Sequence, residues 1–189
     1  VHVYPRVEDL AAVSGLTAEQ IRTSGTIALC KYNRVMLTSP WDLVFGYHWA
    51  DTLVHELVHY LVIKHGGAGV PVWLHEGLAR GFEASWRGVV AGTLDRAELT
   101  TLAAARKAGR FITFAQMHPS MAALPSQEDA QLAFAEVHHA VAWMLEQHAA
   151  AHADERRSPA AGARALVERF GAGDSLDAAL QAFVGHDLK

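Results

Sequence analysis

Leu53-Val54-His55-Glu56-Leu57-Val58-His59-Tyr60-Leu61 places two histidines four residues apart, with a glutamate directly after the first, inside an otherwise uncharged run. A helix turns about 100° per residue, so positions four apart share one face about one turn apart. Two imidazoles so placed can direct their nitrogens at one Zn2+ at about 2.0–2.1 Å. Glu56 then projects toward water on the metal and can accept its proton, which the metal makes acidic enough to leave near neutral pH. This is the HExxH pattern. The uncharged flanks suit a buried helix, where a charge would be costly. A pair of hydrogen-bonded structural histidines is the bland alternative for this segment.

Catalytic zinc usually takes three protein ligands and one water, and two residues compete for the third place. His65 has the spacing of the metzincin motif, but that motif needs glycine three residues after the second histidine, and here Val62 stands there. A continuing helix turns His65 by about 240° net from His59, away from the metal. Valine is disfavoured where the chain must take positive φ. Sixteen residues separate His59 from Glu76, which lies in Val72-Trp73-Leu74-His75-Glu76-Gly77-Leu78-Ala79. A second helix crossing the first could bring its carboxylate to the metal, and Gly77 permits close helix–helix approach.

Outward from these motifs the chain divides into sheet first and helices after. Val1–Tyr4 alternates like a strand and Val7–Val13 reads as a short helix. Thr17-Ala18-Glu19-Gln20 has capping-box spacing. Gly25–Cys30 and Arg34–Ser39 are β-rich runs around Lys31-Tyr32-Asn33, a predicted hairpin. Helices are predicted over Tyr47–Lys64, Val72–Trp86, Asp95–Ala108 and Glu128–Ala151. A further one is capped by Ser158-Pro159 and ends at Gly171, and the last spans Ser175–Val184. His152–Arg157 reads as a polar connector. This order argues for an α+β chain. We read residues 1–189 as one domain, sheet-rich over 1–46, with the active-site helices at 47–86 and a helical closing region at 87–189.

The chain has 189 residues, 51% of them hydrophobic and 19% charged, which is globular composition. No apolar run approaches the ~18 residues of a membrane span. Net charge is −4 with no basic stripe, so nucleic acid is not an expected partner. Cys30 is the sole cysteine, which excludes an internal disulfide and any Cys-rich zinc site. The start at Val1, directly in strand-like sequence, reads as a piece of a longer chain.

His55-Glu56-Leu57-Val58-His59 followed by Trp73-Leu74-His75-Glu76-Gly77-Leu78-Ala79 closely resembles the gluzincin metallopeptidases, above all the peptidase MA-like group. The resemblance implies one zinc ion held by His55, His59 and Glu76, with Glu56 as general base and a peptide or protein as substrate. It implies a zincin-like fold: a twisted, mainly antiparallel sheet whose edge strand, matched by Asn33–Pro40, lies over the active-site helix, followed by closing helices. An extended peptide would add to that edge as a further strand. The family's habits favour an exported or cell-envelope location.

Three departures accompany the resemblance. Arg80 stands one turn after Glu76, where the family often has an acidic residue, and could pair with Glu76. The late helix lacks the family's tyrosine; His138 or His139 is the candidate donor to a developing oxyanion. No carboxylate is evident that would orient the ligating imidazoles, Glu83 and Glu136 being candidates. His48, seven residues before His55, and His75 are candidate substrate-binding residues. The five tryptophans read as core or cleft wall, Cys30 as a buried hydrophobe, and His118, His148, His152 and His186 as surface. The leading expectation is a zinc peptidase. A metal-binding but inactive peptidase-like interaction domain, and a metal-free module with structural histidines, are the alternatives.

Overall fold

The computed structural model describes residues 1–17, 21, 26–121, 124–152 and 158–185. Residues 18–20 of the expected capping box, the connector at 153–157 and His186 lie outside the described residues. The chain begins with β1 (His2–Tyr4) and α1 (Val7–Ser14), then forms a hairpin from β2 (Ala28–Lys31) and β3 (Arg34–Thr38). Tyr32 and Asn33 both take positive φ, 54° and 56°. Left-handed backbone at two consecutive positions is the two-residue turn whose twist suits antiparallel strands.

The strand order is β1-β3-β2, with β1 parallel and β2 antiparallel to β3. The sheet is therefore small and mixed, which corrects the expectation of a mainly antiparallel one. Parallel neighbours need a crossover, and the segment containing α1 supplies it, bringing β1 alongside β3 in the same direction. A second correction follows. The 33–40 segment was expected at the edge, yet β3 is the central strand. Val35, Met36, Leu37 and Thr38 are all buried, and successive strand residues point to opposite faces, so both faces are covered. The edges fall to β1 and β2, of which β2 packs on the helix Trp49–Gly66.

The helical part comprises α2 (Trp49–Gly66), α3 (Val72–Phe82), α4 (Arg96–Ala108), α5 (Gln127–Ala151), α6 (Pro159–Gly171) and α7 (Leu176–Val184). Side chains cap the starts of α4 to α7, the Ser158 cap as expected. Asp95 and Glu98 form a reciprocal capping box at α4, and Ser126, Ser158 and Ser175 accept from the first turns of α5, α6 and α7. Helix α3 stops four residues short of Trp86, the remainder turning as a 3-10 segment over Ser85–Arg87.

Helix α2 packs on β2 and β3 and also on α3 and α6, and α5 lies across α3 and α4. Leu74, Leu78, Val137, Val141, Leu166 and Phe183 belong to the buried core between these helices. Of the tryptophans only Trp73 is buried, while Trp41 is 94% exposed and Trp49, Trp86 and Trp143 are also exposed. Trp86 is held at the surface because its Nε1 donates to Asp51 at 2.7 Å. His148, expected at the surface, is buried; its Nδ1–H donates to the Phe183 carbonyl at 2.9 Å and its ring stacks on Phe183. Cys30 is half-buried, and burial together with the nearby Glu56 pushes its thiol up to about 11.

Candidate metal centre

His55 and His59 sit one turn apart on α2, with ring centroids 4.8 Å apart and planes at 82°. Gly67 (φ 64°) ends α2, and the short loop to Pro71 lets α3 return across it. Glu76 on α3 then places Oε2 at 3.5 Å from His55 Nε2 and 3.6 Å from His59 Nε2. These separations exceed an ordinary hydrogen bond. They match the roughly 3.3 Å between neighbouring ligand atoms of a tetrahedral site with bonds near 2.0–2.1 Å. His55, His59 and Glu76 thus form a group that could hold a metal ion. Two imidazoles and one carboxylate are a donor set that suits zinc.

Gly77 sets the height of that carboxylate. A Cβ there would lie 2.5 Å from Val141 Cγ2 and 2.6 Å from the Val137 carbonyl oxygen. Only glycine allows α3 to approach α5 this closely, and Glu76 is its neighbour.

The three side chains are strongly coupled electrostatically. Burial pushes the Glu76 carboxyl up, but the imidazoles of His55 and His59 more than reverse this and hold it well below the usual carboxylate range. Burial pushes His55 down, and Glu76 and Glu83 override it, raising the imidazole to about 9. Glu56 is 7% exposed, and burial raises its carboxyl against the opposing pull of His59 and His55. Its Oε2 has no hydrogen-bond partner among the described residues. A carboxylate buried beside the ligands with a free oxygen is placed to accept a proton.

Glu83 is placed to orient the first candidate ligand. His55 Nδ1–H donates to Glu83 Oε2 at 3.0 Å, an arrangement that leaves Nε2 to face the group's other candidate ligand atoms. Of the two carboxylates named from the sequence, Glu136 is engaged elsewhere and accepts from the Ile112 backbone. Arg80 does not pair with Glu76: it donates to Glu83 Oε1 at 2.6 Å and to Glu98 Oε1 at 2.7 Å. His65 turns to Glu168 of α6, 3.7 Å away, as the helical angle required.

A cleft of about 580 Å³ opens beside His55 and Glu56, walled by Ala28 of the β2 edge, Thr52, Glu98 and Phe134. The expected oxyanion donors are not brought to it. His138 is buried, with Nδ1–H donating to Glu98 at 2.9 Å, and His139 is exposed one position further round α5. His48 is exposed at the N-cap of α2. His75 stands close to the centre, its ring 5.8 Å from that of His59, and burial, with His59 beside it, pushes it down to about 4. Glu98 was not singled out from the sequence, where it reads only as part of the helix predicted over Asp95–Ala108. Nothing in the spacing signals that the same carboxylate also meets Arg80 and His138.

A scan against protein-family models, a search among curated proteins and a search among solved structures each return no match.

Proposed function

We propose that this chain is a zinc-dependent peptidase of the gluzincin type, with His55, His59 and Glu76 as ligands and Glu56 as general base. The observation that carries this reading is the convergence of the three ligand atoms from two helices with a buried, partly unsatisfied carboxylate beside them. Zinc bound there supplies a Lewis acid that acidifies water and polarises a carbonyl. Glu56 takes the proton of the attacking water and passes it to the leaving amine. Among the described residues the outer side of β2 has no strand partner, and it borders the cleft, so an extended peptide can add there by backbone hydrogen bonds. No described helix is long and apolar enough to cross a membrane.

The test is metal content and peptide cleavage of the purified protein beside Glu56→Gln. The variant is expected to keep stoichiometric zinc and lose cleavage. Normal cleavage by the variant overturns the mechanism, and absence of zinc from a protein supplied with it overturns the metal centre. One observation favours a second reading, a metal-binding but inactive peptidase-like interaction domain: His138 and His139 do not reach the cleft. Bound zinc with no turnover across a broad peptide library selects that reading.

A further inference from the structure

Glu83 is the group that aims His55, and it stands at the C-cap of α3, where its backbone N–H still bonds the Ala79 carbonyl. What holds its side chain is a run of charged contacts across four helices. Its Oε2 accepts from His55 on α2, and its Oε1 accepts from Arg80 Nη1 at 2.6 Å. Arg80 Nη2 donates in turn to Glu98 Oε1 on α4. Both oxygens of Glu98 are engaged: Oε1 also accepts from His138 Nδ1 on α5, and Oε2 accepts from the Asp95 backbone at 2.8 Å.

Resting on the zinc reading above, we propose that Arg80 is a positioning residue for the metal centre, keeping the Glu83 carboxyl directed so that His55 presents Nε2 to the ion, with Glu98 and His138 as its anchor. Each oxygen of Glu83 has one task, and the one not on His55 is committed to Arg80. The guanidinium separates two carboxylates that would otherwise face each other across the cleft wall, where like charges repel. Arg80 Nε is buried and has no partner among the described residues. The side chain therefore adopts a geometry that serves the two-carboxylate bridge and leaves one of its own donors unmet. A guanidinium fork spans two carboxylates, whereas an ammonium acts as a point charge.

The experiment measures zinc affinity of the whole chain by chelator competition, and the visible spectrum of the cobalt-loaded protein, for wild type, Arg80→Gln, Arg80→Lys, Glu83→Gln and the Arg80→Gln/Glu83→Gln double variant. Circular dichroism checks that each is folded. Arg80→Gln is expected to weaken zinc about 10–100-fold and to shift the cobalt bands. Arg80→Lys falls between it and wild type. The double variant loses no more than Glu83→Gln alone, because Arg80 acts through Glu83. Wild-type affinity and an unchanged cobalt spectrum in folded Arg80→Gln overturn the inference, as do additive losses in the double variant. If Arg80→Gln does not fold, Arg80→Lys decides: a several-fold loss supports the inference and unchanged affinity overturns it. A wild-type protein that binds no zinc overturns the metal centre itself and this inference with it.

Discussion

Alanine at position 77 and alanine at position 81 are the same change on the same helix, about one turn apart, and the structure gives them opposite signs. In a helix interior, replacing glycine by alanine favours the folded state by up to about 1 kcal/mol. At Gly77 the new Cβ would stand 2.6 Å from the Val137 carbonyl oxygen and 2.5 Å from Val141 Cγ2. Carbon–oxygen contacts settle at about 3.3–3.6 Å, so α3 must retreat from α5 by roughly 0.7–1.0 Å. The obstacle is backbone, which no rotamer change relieves. Overpacking against backbone falls at the upper end of the usual ~1–3 kcal/mol, and with up to about 1 kcal/mol of propensity gain subtracted, Gly77→Ala loses about 2 kcal/mol. For a chain of this length that is a fall in Tm of about 4–8 °C. At Gly81 the nearest atom to a Cβ is Val141 Cγ1 at 3.5 Å, an ordinary contact. Gly81→Ala therefore gains about 0.5 kcal/mol and raises Tm by about 1–2 °C. Thermal and urea unfolding of the metal-free proteins, run side by side, measure both. The close helix crossing also sets Glu76, so Gly77→Ala is expected to lose zinc affinity while Gly81→Ala keeps it. A Gly77→Ala protein as stable as wild type, or more so, would refute the argument that this glycine is required by the α3–α5 approach.

Three other outcomes are expected. Burial pushes the Glu98 carboxyl up, but His138, the Asp95 backbone N–H and Arg80 together draw it down to about 2 from an ordinary 4.5. Its stabilisation is thus present above pH ~4.5, is lost as pH falls toward ~2, and is of order 2–3 kcal/mol; the stability gap between wild type and Glu98→Gln in urea should shrink across that window, and a gap constant from pH 7 to pH 3 would contradict it. Gly162→Ala puts a Cβ 2.6 Å from His148 Cδ2, with that ring stacked on Phe183 at a 3° interplanar angle; a loss of about 1–3 kcal/mol in thermal unfolding is expected, and an unchanged Tm would show that the ring can move. Zinc at 100 times its Kd should stabilise the wild type by about 2.7 kcal/mol. Glu76→Ala should abolish that shift, and a shift that survives would place the ion elsewhere.

The local features of this protein were written in the chain. HExxH on a helix, the Val62 that bars His65, the cap at Ser158, and the hairpin around Tyr32-Asn33 all follow from contacts within a few residues, where chain geometry fixes what can meet. Glu76 was legible as a candidate ligand because two helices joined by a short loop through Gly67 can lie close together. Sheet order was not legible: whether β1 joins the sheet parallel to β3 depends on how α1 packs, which no local pattern records. The surface position of Trp41 and the burial of His148 were hidden for the same reason, since burial is decided by what arrives from elsewhere in the chain. Most of all, Arg80 stands one turn from Glu76, and spacing alone allowed them to pair. Tertiary packing instead brings Glu83 and Glu98 to its two Nη atoms, at 2.6 and 2.7 Å. A charged side chain takes the partners that folding delivers to it, and those come from α4 and the end of α3, not from the turn below.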